Sequence, residues 1–567
     1  MSDRLQLLYE AHGRVNRELP FVVGVLADLA GGRDDLPPLA RRRFVPIDRD
    51  DFAEVLAKVA PELKLAGTTL RFRDLDDFGP AAVAAQVPAL ADLLHARREL
   101  HALSRGAPTA TDVERVVRRL DPKREVTPPA TPASVPAPPA DGASLLAQML
   151  GEPAPVAPEL SDVDRLIQEA AASTPTVGRD TRDAIEHWTA VVEARLAAGL
   201  RGVLHDPTFQ RLEATWLGLW QLVRNVETGP SLKIRVLNVR KAELLADQRR
   251  VGGFDQSELF RKVYSEVYEH ADSEPIGLLL ADFEFGPDDF ADLAGVASVA
   301  EAAHAPLVAA AAPALLGVER FGELEEVTEP ASRAWAEFRD RPASRYVALT
   351  VPRVLARKPY GKKFTEVEEF AFEELAGDGG PPWMIAAWAY GVLAAAAFER
   401  DGWFARTRGF DFGRVDHLLS FTTTIDGEPT PVGPAEVAWR EGDAGRLADL
   451  GFLPLVAARD GDFGVFYSSR TCRRPNPDDA ADDAMSQLHV LLGVSRLAQY
   501  LLVQSHHAGS SEQLTALLND WLRRYPMLAG GVKVKPTGDR PGWLSIAAAV
   551  QLPGTPLLPL LVGIVRE

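Results

Sequence analysis

The chain has 567 residues, of which 46% are hydrophobic and 25% are charged, and its formal net charge is −18. This length exceeds what one hydrophobic core usually serves, so at least two folded units are expected in a soluble globular protein. The negative charge repels phosphate backbones, so nucleic-acid binding would need a local basic patch. The basic runs Arg41–Arg43 and Arg249–Arg250 are short, and we interpret them as solvated surface.

The first part of the chain predicts a small α/β unit. The continuous apolar run Phe21–Ala27 precedes Asp28 and a Gly-Gly pair, which predicts a buried strand that leaves the core through a turn. Apolar residues at helical spacing predict a helix over 50–59, with Asp50 as its cap.

The same unit continues with one more strand and a long helix. Alternation in Thr69–Arg73 predicts a half-exposed strand. The pair Asp76-Asp77 before Gly79-Pro80 marks the start of a helix expected to run to about Leu103, and Thr111–Leu120 predicts a short helix after it.

Three motifs in this unit resemble a known family. The segments ELPFVVGVLADLAG, RRRFVPIDRDDF and LRFRDLDDFGPAAVAAQVPALADLLHARREL are similar to the small sheath subunit of bacterial type VI secretion systems, TssB or VipA. The resemblance covers about Arg4 to Leu103 and implies that residues 1–120 form a small sheath subunit.

Between Pro122 and Pro158 the chain becomes rich in proline and alanine. Such a composition cannot bury enough apolar surface to fold, so residues 121–160 are predicted to be a linker. Inside it, Ala143–Gly151 predicts a short amphipathic helix with four apolar side chains on one face, Leu145, Leu146, Met149 and Leu150.

The third part, residues 161–567, predicts a larger α/β unit. Two apolar stripes predict amphipathic helices around Ile185–Leu196 and Phe209–Val223. Strands are then expected at Leu232–Val239, Ile276–Asp282 and Leu307–Ala312, alternating with helices at Leu259–Tyr268 and about Asp288–Ala303. This alternation predicts a largely parallel sheet.

The second unit resembles the partner of the first. Its motifs DPTFQRLEATWLGLWQLV, IRVLNVRKAELLAD, FDQSELFRKVYSEVYEH, PIGLLLADFEF and SRYVALTVPRVLARKPYG are similar to the large sheath subunit of the same machine, TssC or VipB, over about 184–567. The predicted fold class is therefore mixed α/β, with two sheath-type units joined by a linker.

No catalytic constellation is predicted, and neither a cofactor nor a metal is expected. The Gly-Lys pair in Arg357–Lys363 lacks the glycine of a phosphate loop and predicts a surface loop. Glu301 and His304 are one helical turn apart and could supply two metal ligands, but His304 before Pro306 is more typical of a helix end. His506-His507 has no spaced partner.

Both chain ends are short, apolar and β-prone, in Arg4–Tyr9 and Leu557–Arg566. The resemblance implies that such terminal strands interlace neighbouring copies by adding to a sheet edge. The candidate inter-subunit residues are Leu5, Leu7, Tyr9, Leu560, Val562 and Ile564. The alternative is ordinary pairing within one chain.

The two resemblances together imply a non-enzymatic sheath subunit. Its partners would be further copies of itself in a helical polymer, the Hcp inner tube, the baseplate, and a ClpV-type ATPase that grips the Leu145–Leu150 helix. The alternatives for this helix are docking against the same chain and a helix that forms only transiently. A cytoplasmic location is expected, since the single Cys472 fits a reducing compartment and the first residues lack the apolar core of a signal peptide. The alternative is an α/β enzyme or soluble scaffold with an appended N-terminal module.

Overall fold

The structure is a computed structural model that describes residues 8–11, 14–65, 67–106, 109–120, 179–269, 274–375, 379–425, 427–458, 461–505, 511–523, 532–536, 543–551 and 555–565. Its helices are α1 (Phe52–Val59), α2 (Pro80–Gln86), α3 (Pro88–Ser104), α4 (Ala110–Leu120), α5 (Arg179–Leu204), α6 (Pro207–Asn225), α7 (Lys241–Arg250), α8 (Glu258–Phe260), α9 (Glu266–Tyr268), α10 (Phe290–Ala303), α11 (Arg333–Arg339), α12 (Ala387–Asp401), α13 (Glu441–Asp449), α14 (Ala480–Met485), α15 (Leu488–Ser505) and α16 (Ser511–Arg523).

The strands are β1 (Leu8–Ala11), β2 (Arg14–Glu18), β3 (Phe21–Ala27), β4 (Val45–Ile47), β5 (Glu62–Leu65), β6 (Thr68–Arg71), β7 (Leu232–Asn238), β8 (Ile276–Phe285), β9 (Leu307–Ala311), β10 (Val347–Val351), β11 (Arg353–Leu355), β12 (Trp383–Ile385), β13 (Arg414–Val415), β14 (Phe421–Ile425), β15 (Glu428–Val432), β16 (Phe452–Pro454), β17 (Val456–Ala457), β18 (Gly464–Val465), β19 (Val532–Pro536), β20 (Trp543–Gln551) and β21 (Leu557–Val565).

One seven-stranded sheet forms the centre of the described chain, in the order β16-β10-β9-β8-β3-β7-β4. Its neighbouring strands are parallel, except that the edge strand β4 runs antiparallel to β7. The prediction of a largely parallel sheet is confirmed. The other strands form two- and three-stranded sheets around it.

Strand β3 belongs to the first segment, yet it lies in the middle of this sheet. It pairs with β7 from Phe21 opposite Leu232 to Ala27 opposite Asn238, and it pairs with β8 on its other side. The length of the chain predicts at least two folded units, whereas the described residues of both segments share one sheet. Strands β7 and β8 have β3 between them instead of pairing with each other.

The composition of β3 explains this central position. All seven of its residues are buried, and they alternate between two cores on opposite faces of the sheet. Val22 and Leu26 pack in one core, and Val23 and Val25 pack in the other. A continuous apolar run is typical of a strand that is covered on both faces.

Two local predictions in the first segment were wrong. The N-cap of α1 is Asp51, and Asp48 holds the preceding turn by accepting bonds from the N–H groups of Asp50 and Asp51 at 2.9 and 3.1 Å. The helix expected to reach Leu103 unbroken is two helices, because Val87 is extended at the junction and Pro88 starts α3.

Most elements predicted in the second segment are confirmed. Helices α5 and α6 and strands β7, β8 and β9 lie where the sequence indicates, although β8 continues to Phe285 and α10 begins at Phe290. The helix expected over Leu259–Tyr268 contains a π-helical turn at Arg261–Ser265.

Candidate assembly site

Three of the predicted inter-subunit residues lie on β21. Leu560, Val562 and Ile564 are opposite Ala548, Ile546 and Leu544 of β20 in antiparallel register. Strand β20 pairs with β19 on its other side, so β21 is an edge strand, and no strand of the described chain pairs with its outer side. A nine-residue edge presents backbone N–H and C=O groups to which another extended chain can bind.

The other terminal strand is part of a small hairpin. Tyr9 lies on β1 opposite Arg17 of β2, whereas Leu5 and Leu7 lie outside the described residues. The hairpin pairs with no further strand that the structure describes, and an isolated two-stranded sheet is only marginally stable. Pairing within the chain thus occupies one side of each terminal strand.

Helix α15 fixes the base of this hairpin. The Arg496 guanidinium donates to the carbonyl oxygen of Leu19 at 2.7 Å and lies 3.3 Å from a Glu18 carboxylate oxygen. The Tyr500 hydroxyl accepts a bond from the Leu19 N–H at 3.0 Å. Because the Arg496 side chain is only 5% exposed, this ion pair is shielded from salt and fixes where the hairpin leaves the core.

A second set of contacts joins the first segment to α6. The Trp216 indole N–H donates to the carbonyl oxygen of Leu29 at 3.1 Å, and its ring meets Phe52 edge to face. Trp216 and Trp220 both pack against Phe52 across the boundary between the segments. Which residue they contact could not be predicted from spacing.

Ion pairs also join the two segments along this boundary. Arg42 binds both carboxylate oxygens of Glu243, at 2.8 and 2.9 Å, and Arg97 binds Glu193 at 3.0 Å. Burial opposes ionisation of Glu243, but its bonds to Arg42 and to the Arg240 N–H outweigh burial and lower its pKa to about 2. Glu243 therefore stays ionised wherever the protein is folded near neutral pH.

A buried charge cluster lies under the Arg357–Lys363 loop, which the sequence predicts to be surface. Arg357 is only 11% exposed; its Nε donates to Glu213 at 2.6 Å and its two Nη groups bind both oxygens of Glu374 at 2.7 and 2.9 Å. Burial raises the pKa of Glu213, whereas the neighbouring His205 and Arg357 outweigh burial at Glu374 and lower its pKa to about 2. Only the lysines of this loop are exposed, so the prediction of a surface loop holds for them and is wrong for Arg357.

His304 ends α10 with a positive φ of 50°, as predicted from its position before Pro306. Its Nδ1 lies 3.2 Å from the Tyr346 hydroxyl, and burial lowers its pKa to about 4. Among the described residues, no group of three or more His, Cys, Asp or Glu side chains is arranged to hold a metal, and none of the described helices is long and apolar enough to cross a membrane. The linker candidates Leu145–Leu150 and the pair His506-His507 lie outside the described residues.

Comparison with known proteins assigns both segments. Residues 186–473 match the VipB family model, described as the tail sheath N-terminal domain, and residues 2–125 match the VipA family model of the type VI secretion system. The chain belongs to the type VI secretion sheath family. It joins a VipA-type and a VipB-type segment in one polypeptide.

Two curated relatives come from Pseudomonas aeruginosa. The type VI secretion system sheath protein TssC1 is 35% identical over 389 residues, which cover 64% of this chain and 78% of TssC1. The sheath protein TssB1 is 38% identical over 114 residues, which cover 18% of this chain and 66% of TssB1. In the structure, β3 of the VipA-type segment lies between β7 and β8 of the VipB-type segment, so residues of both segments contribute to the cores on both faces of the sheet.

Proposed function

We propose that this fused sheath protein polymerises into a helical tube around an Hcp inner tube, docks on a baseplate, and contracts to drive the inner tube outward. Family membership gives it a structural role in a type VI sheath. The observation that supports polymerisation most directly is the pair of terminal sheets, β1-β2 and β19-β20-β21, each with an edge that no described strand covers.

Interlacing strands suit a contractile lattice. A strand added to a neighbour's sheet edge gains main-chain hydrogen bonds without a large rigid interface, so the bodies can rotate while the links hold. The rigid body in this chain is the central sheet, and Arg496 fixes where the N-terminal hairpin leaves it. Leu560, Val562 and Ile564 on β21, and Tyr9 on β1, remain the candidates for contacts between copies.

The fusion has its own consequence for assembly. Covalent linkage fixes the VipA-type and VipB-type segments at a one-to-one ratio and raises their effective concentration. The shared sheet requires this ratio, since every copy of β7 and β8 needs one β3 between them.

Negative-stain microscopy of the purified full-length protein tests the proposal. Long tubes with a cogwheel cross-section are expected, and more of them when Hcp is present. Discrete particles under every assembly condition would instead favour an α/β scaffold or enzyme with an appended module.

Recycling by a ClpV-type ATPase is a separate part of the proposal. The four apolar residues Leu145, Leu146, Met149 and Leu150 would be its peptide ligand. Deleting Ser144–Leu150 should abolish ATPase pull-down, whereas deleting the equally long Pro128–Ser134 should not. Equal binding by both deletion variants would remove the helix from the proposal.

A further inference from the structure

The structure places the basic run Arg41–Arg43 near the C-terminal end of α7, where the second basic run, Arg249–Arg250, lies. A crevice of about 700 Å³ lies between the loop Pro38–Ala40 of the VipA-type segment and helix α7 of the VipB-type segment. Arg250 lines the crevice, and Arg41 and Arg43 lie one and three positions after the lining residue Ala40 in the chain. We call this feature, with these three arginines, the arginine crevice.

The three arginines are available to a partner. Arg41, Arg43 and Arg250 are all exposed, and in the described part of the chain no carboxylate lies within ion-pair distance of any of them. Arg240 also lines the crevice, and its buried Nε has no hydrogen-bond partner among the described residues. An unpaired buried donor and unpaired guanidinium groups favour an anionic partner.

The carboxylates of the crevice are already occupied. Glu243 binds Arg42 and Arg240, Asp247 accepts the N–H groups of Glu258 and Leu259 at 3.1 and 3.0 Å, and Glu258 binds Arg261 at 2.7 Å.

Lys262 adds a further positive charge behind the crevice. Its Nζ donates to the carbonyl oxygens of Ala40 and Arg42, and burial and the charge of Arg261 lower its pKa. Its contacts in the described chain are to carbonyl oxygens rather than carboxylates. Apart from Asp247, whose bonds are to neutral N–H groups, the charges of the crevice that lack an opposite partner among the described residues are therefore positive, although the whole chain is acidic.

A complementary surface lies elsewhere on the same chain. Five exposed glutamates lie in the eleven-residue stretch 319–329, which follows β9, and we call them the acidic ridge: Glu319, Glu323, Glu325, Glu326 and Glu329. Three of them have arginine neighbours within the chain, and within the described residues Glu319 and Glu325 form no ion pair.

The two surfaces belong to opposite halves of the central sheet. The arginine crevice is built on α7, which follows β7, the neighbour of edge strand β4. The acidic ridge is tied by the 3.7 Å pair between Glu326 and Arg446 to α13, which leads into the opposite edge strand β16.

We propose that the arginine crevice of one copy binds the acidic ridge of a second copy, head to tail. The inference rests on the proposed polymerisation and names one of its contacts. Because the two surfaces differ, each added copy leaves one crevice and one ridge free, which gives an open filament rather than a closed dimer. Solvent-exposed ion pairs add little affinity individually, but they accelerate association and fix its register, and salt weakens them.

A charge-swap experiment on the full-length chain tests this contact. The crevice variant replaces three arginines, and the ridge variant replaces three glutamates: Arg41→Glu with Arg43→Glu and Arg250→Glu, and Glu319→Lys with Glu325→Lys and Glu326→Lys. Each variant alone juxtaposes like charges, so its critical concentration for assembly should rise at least about tenfold at low ionic strength. A one-to-one mixture places opposite charges at every contact and should assemble near the wild-type concentration.

A matched control separates local contact from overall charge. It reverses three exposed arginines of the VipA-type segment that form no ion pair in the described chain, Arg73→Glu, Arg98→Glu and Arg105→Glu, and it should assemble like the wild type. Thermal unfolding of all variants should be unchanged, because every substituted side chain is exposed.

The outcomes separate the two proposals. Wild-type protein that never polymerises would overturn both the proposed function and this contact. Wild-type tubes together with a crevice variant that assembles at the wild-type concentration and with the same salt dependence would overturn this contact alone. Failure of the mixture to assemble better than either variant would do the same.

Discussion

Substitution of Val23 by Asp should unfold both segments together. Val23 is fully buried in β3, opposite Ile234 of β7 and Leu278 of β8. A carboxylate there has no partner, so the substitution should cost about 3–5 kcal/mol of unfolding free energy. The matched control is Val45→Asp on edge strand β4, where the side chain is 45% exposed and the cost should be within about 0.5 kcal/mol.

The positions of the tryptophans provide a fluorescence readout for this prediction. All ten lie at or after Trp188, so tryptophan fluorescence arises only from the VipB-type segment, although the substitution is in the VipA-type segment. Two of them, Trp216 and Trp220, also contact Phe52 of the VipA-type segment. With a denaturant dependence of about 3 kcal/mol/M, the fluorescence midpoint in urea should fall by about 1 M or more. An unchanged fluorescence midpoint in the Val23→Asp protein, with loss of circular dichroism at lower urea, would show that the segments fold independently and would refute the shared core.

Two further predictions concern buried charges in the second segment. Arg357→Met leaves Glu213 and Glu374 buried without the Arg357 cation and should lower the unfolding free energy, measured by urea denaturation, by about 3–5 kcal/mol. The control Lys358→Met, at an exposed position, should change it little. Equal effects of the two substitutions would contradict the buried cluster. His304 has a pKa of about 4 in the folded protein, below its ordinary 6.5. Its contribution to the unfolding free energy is therefore complete above pH 6.5 and is lost as the pH falls towards 4, by up to about 3 kcal/mol. His304→Asn, which tolerates the positive φ, should flatten this part of the stability–pH profile, and an unchanged slope would count against it.

The sequence was sufficient to predict β3 as a buried strand but not to place it in the sheet. Its apolar run is a local signal, and it correctly indicates coverage on both faces. Its partners β7 and β8 are more than 200 residues away, and nothing in the spacing or composition of Leu232–Asn238 shows that it pairs with a strand from the other segment. Composition therefore predicts two units, whereas the pairing places strands of both segments in one sheet.

The errors at single residues have a similar origin. Asp50 is a reasonable helix cap by type, but Asp48 takes the backbone donors of that turn. Pro88 is a local signal for a helix break, whereas the apolar stripe Val83, Val87, Leu90 and Leu94 continues across it and favours one helix. Arg357 is surrounded by residues 144 and 17 positions away, so its burial could not be predicted from the polar loop around it.

Helical reconstruction by electron cryomicroscopy, from full-length protein assembled with Hcp, would show directly whether the fused chain forms the sheath. We expect a tube with one fused chain per repeating unit, β3 between β7 and β8 in every copy, and Hcp inside. Particles without helical order, or a lattice that excludes Hcp, would contradict it.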